Sequence, residues 1–334
     1  MGAVQLVCLI VAMALYVLAD GFALGIGLLL PLGPRRQDRD AMVKSIVSVG
    51  SSNDKWLGVA GLALALAFPF VLTVLARSYP VPLAIMAFAL LARGAAFRFR
   101  LRSNRRQRVW ELGLAGASAL AILCQGFVLA GLAHVLKPVV GLDWIFALLC
   151  AAMLLGGYML LGAGWLIWRA SAPMQTFGRE VSPAALILVA GGAAVAFAWA
   201  LLIARDAFAL PDAATPLLLL LGAAVCVLIW CNLWSRRTHL VFLLGLALFA
   251  IGLGGVADAL WALADGGGAV ASAGVAELAI GFCVGVVLVI TCPIIIGQMF
   301  RGELDQIDAN PALRLIPGAG CRRSRSLPTE LHFS

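Results

Sequence analysis

The chain has 334 residues, 63% of them hydrophobic and only 12% charged, with a mean hydropathy of +1.03. Soluble domains carry about 45–50% apolar and about 25% charged residues, so this composition excludes a water-soluble globular protein and demands lipid as solvent. The net charge of +8 follows from the membrane topology derived next and is not a sign of nucleic-acid binding.

A helix crosses the hydrocarbon core with about 20 mostly apolar residues, because every backbone N–H and C=O must be satisfied within the segment. Nine such runs follow one another, at roughly 4–31, 56–76, 80–100, 110–133, 143–168, 183–204, 214–234, 239–261 and 274–300. The alternating strands of a membrane barrel are absent, so the fold class is an all-α integral membrane protein. Residues 1–302 are expected to form a single polytopic domain and 303–334 a flexible cytoplasmic tail, rich in polar residues and proline.

Of the 24 Lys and Arg residues, only Arg77, Lys137 and Arg205 fall on one side of these spans. Basic residues stay on the cytoplasmic side of short loops, which predicts an external N-terminus and a cytoplasmic C-terminus. Ends on opposite sides require an odd number of spans, in agreement with nine. No Lys or Arg precedes Arg35, and the first run is longer than a signal-peptide core, so it is expected to remain as a helix.

In that first run, Asp20 lies eleven residues before Pro31, which at about 1.5 Å per residue places its carboxylate roughly 16 Å deep. An ionisable group there costs about 2.5–3.5 kcal/mol on insertion scales and calls for a partner. Two readings stand: a carboxylate satisfied by a nearby hydroxyl or backbone group, or a proton-handling or cofactor-facing residue. Gly21 and Gly25 form a GxxxG face, with Gly27 beyond it, that lets a neighbouring helix approach closely.

Ser51, Ser52, Asn53, Asp54, Lys55 and Trp56 lead into the second run. They fit either a proton-path or subunit-interface site or a well-capped helix start whose Lys55 snorkels to the headgroups. Arg93 lies thirteen residues past Pro80 in the third run, about 20 Å along the helix and still below the interface. A buried guanidinium requires an acidic partner, an anion or a carbonyl, and Asp54 is the expected partner. Gln125 in the fourth run is an amide suited to bonding between helices. Asp258 and Glu277 fall near outer helix ends, where water is at hand.

Eight cysteines include no CxxC pair, and His134, His239 and His332 lie at a helix end, a helix start and the tail. Neither a zinc site, a disulfide framework nor a haem ligand pair is indicated for this chain alone. Nucleophilic triads and phosphate-cradling glycine loops are likewise not found.

Several ordered motifs resemble subunit II of cytochrome bd-type quinol oxidases, the cyanide-insensitive branch included. Ala19-Asp20-Gly21-Phe22-Ala23-Leu24-Gly25-Ile26-Gly27 followed by Leu30-Pro31 is similar to the family's first helix. Asn53-Asp54-Lys55-Trp56-Leu57 with Phe68-Pro69 resembles its second-helix motif, and Arg93-Gly94-Ala95-Ala96-Phe97-Arg98-Phe99-Arg100 its third. Gln125-Gly126, the stretch from Trp165 to Thr176, and Pro293 to Gly302 follow in order. Two departures stand out. Gly50-Ser51-Ser52 replaces the family's Trp-Asp-Gly, whose Asp the resemblance associates with proton access to the partner's haems, and Arg98 replaces an acidic residue. Asp54, about one helical turn on from Ser51, is placed to take over part of the missing role.

The resemblance implies two four-helix bundles plus one peripheral helix in a bacterial cytoplasmic membrane. It also implies a heterodimer in which a larger subunit I holds haems b and d and oxidises quinol while O2 is reduced to water. This chain would carry no haem and no active centre, would support assembly and proton or oxygen access, and leaves room for a structural quinone. The competing class is a secondary transporter with paired discontinuous helices, for which the glycine pairs Gly156-Gly157 and Gly191-Gly192 are the nearest signal. A scaffold of an unrelated membrane complex is a third reading.

Overall fold

The computed structural model describes residues 2–47, 69–102, 106–136, 143–202, 214–235 and 237–265. They belong to a compact unit spanning Met1–Val289; a second unit, Ile290–Ser334, lies outside the described residues. Every regular element among the described residues is helical.

Helix α1 (Gly2–Tyr16) runs through a π-helical turn at Val17–Gly21 into α2 (Phe22–Leu29), and a 3-10 turn at Leu30–Leu32 ends the rod at Pro31. A continuous helical rod therefore covers the expected first run, widened by one π turn where Asp20 sits. Helix α3 (Arg36–Val47) is opened by Asp38, whose carboxylate accepts the Arg35 backbone N–H at 3.2 Å, as in a capping box. Its Met42, Val43 and Ile46 are buried in the same core as α2.

The remaining helices are α4 (Pro69–Ser78), α5 (Pro80–Arg102), α6 (Gln107–Leu136), α7 (Asp143–Arg169), α8 (Ala172–Leu202), α9 (Ala214–Asn232) and α10 (His239–Asp265). Five of the described helices, α5, α6, α7, α8 and α10, are long and apolar enough to cross a membrane; α2 with its 3-10 turn and α9 form shorter apolar segments. The expected runs at 56–76 and 274–300 lie mostly or wholly outside the described residues, and α4 covers the end of the first of these. Helix α8 begins at Ala172, well before the expected boundary, and carries Pro183 in its interior. Proline is tolerated there because membrane helices can re-satisfy freed backbone groups locally.

Helix α7 is the centre of the assembly and packs against α2, α6, α8 and α10. Small residues make these contacts close. A Cβ at Gly25 would lie 1.8 Å from the Tyr158 carbonyl oxygen, and one at Gly162 would lie 2.5 Å from the Gly25 carbonyl carbon, so α2 and α7 cross backbone on backbone. A Cβ at Gly126 would meet the Ala151 Cα at 2.3 Å, which does the same for α6 and α7. On the outside, Phe88 and Leu91 of α5 are 69% and 75% exposed and Leu220 of α9 is 68% exposed. Apolar surface of that extent is unfavourable in water and suits lipid.

Candidate functional site

The π turn sets the site. It presents Asp20, only 2% exposed, to the 8% exposed Arg93 of α5. Arg93 Nη1 donates to Asp20 Oδ2 at 2.9 Å and Nη2 donates to Oδ1 at 2.7 Å. This two-bond fork is the strongest common pairing of a guanidinium with a carboxylate, and it sets the two opposite charges against each other inside the helix bundle. The long Arg side chain thus reaches back into the bundle towards the first helix.

A second polar chain adjoins the pair. Gln125 Nε2 on α6 donates to the Tyr16 hydroxyl at 2.7 Å, and Tyr158 of α7 donates its hydroxyl proton to Gln125 Oε1 at 3.0 Å. Tyr16 closes α1 immediately before the π turn. The ring of Tyr158 lies against the position a Gly21 Cβ would occupy, at 3.3 Å, and against Phe249 with ring centroids 5.0 Å apart. Five polar side chains, from α1, the π turn, α5, α6 and α7, thereby fix four separate stretches of helix to one another.

At the end of α5 lies a second cluster. Glu111, 0% exposed in the first turns of α6, approaches Arg39 Nε at 2.8 Å, Arg100 Nη2 at 3.1 Å and Arg108 Nη1 at 3.5 Å. Arg100 also pairs with Asp40 of α3. Arg39 in turn donates from Nη1 to the Gly33 carbonyl at 3.0 Å. The network ties α3, α5 and α6 to the close of the first rod.

An aromatic cluster joins α2, α7 and α10 nearby. Phe22 stacks on Trp165 at 4.4 Å, Trp165 meets Phe242 edge-on at 5.5 Å, and Arg169 lies 5.2 Å over Trp168. Such contacts each add about 0.5–1.5 kcal/mol beyond area burial. Among the described residues, no group of three or more His, Cys, Asp or Glu is placed to hold a metal ion.

The sequence candidates fall as follows. Asp20 and Arg93 meet directly, and Gln125 belongs to the adjoining chain. Gly21 and Gly25 face α7, while Gly27 faces α6, where its Cβ would lie 2.5 Å from the Ser118 hydroxyl oxygen. Ser51, Asn53, Asp54 and Trp56 lie outside the described residues, and so does the expected contact of Asp54 with Arg93. The described carboxylate in the fork of Arg93 is that of Asp20. Tyr16, Tyr158, Arg39, Arg100 and Glu111 were not singled out from sequence. The available signal was the rule that a phenol at membrane depth needs a partner for its hydroxyl.

A many-helix membrane protein whose buried charges are matched to one another is the class these features define. The chain belongs to the cytochrome bd terminal oxidase subunit II family, whose sequence profile matches residues 1–301. Similar proteins include the probable cytochrome oxidase subunit 2 of Haemophilus influenzae, 28% identical over 192 residues, 53% of this chain and 51% of that protein. The cytochrome bd ubiquinol oxidase subunit 2 of Bacillus subtilis is 30% identical over 95 residues, 28% of each chain. The Escherichia coli K12 cytochrome bd-I ubiquinol oxidase subunit 2 is 29% identical over 102 residues, 30% of this chain and 27% of that one. The aligned stretches thus span about half or less of these relatives. A chain of the bd oxidase from Geobacillus thermodenitrificans has the same fold, with a TM-score of 0.61 over 88% of this chain and 98% of that one at 14% identity.

Proposed function

We propose that this chain is the subunit II of a cytochrome bd-type terminal oxidase that couples quinol oxidation to reduction of O2 to water. The observation that carries the reading is the family match over residues 1–301. In this reading, haems b and d and the quinol-oxidising centre reside in a larger subunit I, and the present chain has no active centre of its own. It lies in the bacterial cytoplasmic membrane as nine spans with an external N-terminus, and helps assemble subunit I and shape its proton and oxygen access.

The buried pairs support an assembly role. Asp20 and Arg93 engage both carboxylate oxygens and both terminal guanidinium nitrogens in each other, so the pair acts as a clamp between the first rod and α5. A proton path is proposed for the polar segment Ser51, Asn53, Asp54 and Trp56, with Asp54 carrying part of the role of the family's missing aspartate. The transporter reading receives no support from the family or the fold.

The test is a reduced-minus-oxidised visible spectrum of the tagged chain, purified in mild detergent from cells expressing its natural neighbours. Haem b and d bands with a second, larger polypeptide are expected. A haem-free chain that purifies alone, under conditions that keep other membrane complexes intact, overturns the proposal.

A further inference from the structure

Helices α7 and α10 run antiparallel in one constant register. Gly157 lies against Phe249, Leu161 against Gly245 and Gly164 against Phe242, and a Cβ on each glycine would come within 3.0 or 3.1 Å of its neighbour. Carried on to the helix ends, this register brings Arg169, the last residue of α7, level with Arg237, just ahead of α10. Trp144–Arg169 and His239–Ala257 are both long and apolar enough to cross a membrane, so the two arginines stand where two adjoining spans reach the same surface.

The Arg169 guanidinium lies 5.2 Å from the Trp168 ring centre and 5.7 Å from that of Trp165. Trp168, 38% exposed, leans in turn on Phe242 of α10 at 5.6 Å. Arg237 rises from a turn fixed by Ser235, whose hydroxyl accepts the Arg237 backbone N–H at 3.1 Å while its carbonyl accepts Arg179 Nη2 at 3.3 Å. Both Arg169 and Arg237 are exposed. Among the described residues, neither forms an ion pair with a carboxylate, and the exposed Glu180 of α8 pairs with neither.

We infer that Arg169 and Arg237 form a binding site for an anionic phospholipid, with the phosphodiester between the two guanidinium groups and Trp168 at the boundary to the acyl chains. A guanidinium matches phosphate oxygens with a fork of N–H donors and also stacks on aromatic faces, so the rings that hold Arg169 prepare it for the anion without neutralising it. Each basic side chain near an anionic membrane surface adds to the attraction, and a half-exposed indole suits the headgroup level, where one side is apolar and the other wet. What lies alongside two apolar spans is acyl chain, and a phospholipid headgroup is the anion that meets both charges and Trp168 together. The inference rests on the membrane embedding of the chain and not on the oxidase assignment.

The test uses the full chain, with whatever subunits copurify, in mixed micelles of phosphatidylcholine and phosphatidylglycerol. Quenching of the Trp168 component, taken as wild type minus Trp168→Phe, is compared for brominated phosphatidylglycerol and brominated phosphatidylcholine. The expected preference for the anionic lipid is at least about fivefold, the weight of a single basic residue at an anionic surface. It should fall towards one in Arg169→Gln/Arg237→Gln. Should that variant fail to fold, wild type alone decides, since a preference carried by charge must drop as salt is raised from about 50 mM to about 500 mM. Equal quenching by both lipids overturns the inference, as does a preference unchanged in the Gln variant or by salt. Displacement of the bromolipid by millimolar inorganic phosphate overturns it in favour of a free anion. A Trp168 component quenched by neither lipid overturns it in favour of an acidic protein partner covering the site. The readout requires no haem and no turnover, so its failure is separate from failure of the oxidase reading.

Discussion

Asp20→Asn is the substitution that isolates the clamp. It keeps the shape of the side chain and removes the charge that two Arg93 nitrogens engage at 2.9 and 2.7 Å. Arg93 is 8% exposed, so its guanidinium would remain buried against a neutral amide able to accept at one oxygen only. Breaking one side of a buried ion pair costs about 3–5 kcal/mol. At roughly 2–4 °C per kcal/mol for a large domain, the unfolding midpoint should drop by about 6–20 °C. The assay is thermal unfolding of the detergent-purified protein by intrinsic fluorescence, run as a double-mutant cycle with Arg93→Gln. A direct pair should show a coupling of about 1–3 kcal/mol, whereas additive losses would refute the clamp. Turnover separates the alternatives further. If Asp20 only clamps, activity per assembled complex should be retained in Asp20→Asn; lost turnover in a fully assembled, undiminished complex would assign it proton chemistry.

Other substitutions probe the same framework. Gly25→Ala puts a Cβ 1.8 Å from the Tyr158 carbonyl oxygen, and forcing α2 from α7 should cost about 3 kcal/mol or more, read as loss of the chain from purified membranes. Gly94→Ala meets nothing within 4 Å and should be neutral or stabilising by about 0.5–1 kcal/mol, seen as an unchanged or raised unfolding midpoint. Glu111→Gln should destabilise by about 3 kcal/mol, because Arg39 and Arg100 would lose a buried counter-charge, with faster proteolysis of the α3 region as the local readout. Tyr158→Phe removes the donor to Gln125 and should cost only about 0.6–1.7 kcal/mol, the range for single interhelical hydrogen bonds in membranes, again by unfolding midpoint.

Much of this was legible in the residues, for a physical reason that also marks where legibility stops. Lipid makes isolated charges conspicuous, so Asp20 and Arg93 stood out at once, and the length of each run gave their depth. Their pairing did not follow, because 73 residues separate them and which helices adjoin is decided by backbone crossings such as Gly25 with Gly162. Asp54 was the expected partner because both lie towards the cytoplasmic side, and that contact lies outside the described residues. The π turn was invisible for another reason. A straight helix and one widened by a turn have the same composition, and only tertiary contacts that engage Asp20 distinguish them. Glu111 was overlooked since, next to Arg106 and Arg108, it reads as a solvated helix start, whereas α3 folds over it and buries it completely.

The position of Arg98 bears on how such a chain can depart from its family's pattern. In the family resemblance this site is acidic, and a reversal of charge inside the bundle would have to be answered by a second change nearby. The side chain is instead exposed at the outward face of α5, while Arg93 and Arg100 on the inward face keep their carboxylates within hydrogen-bonding reach. The described buried pairs are made by Arg93 and Arg100, so the charge at position 98 can change sign without breaking them. The inward positions have no such freedom. Exchanging Arg98 for Glu should therefore leave the unfolding midpoint within about 1 °C of wild type in neutral lipid, since surface substitutions usually fall within about 0.5 kcal/mol. A large loss of stability in neutral lipid would place Arg98 among the inward pairs and defeat the division of the α5 arginines into two faces.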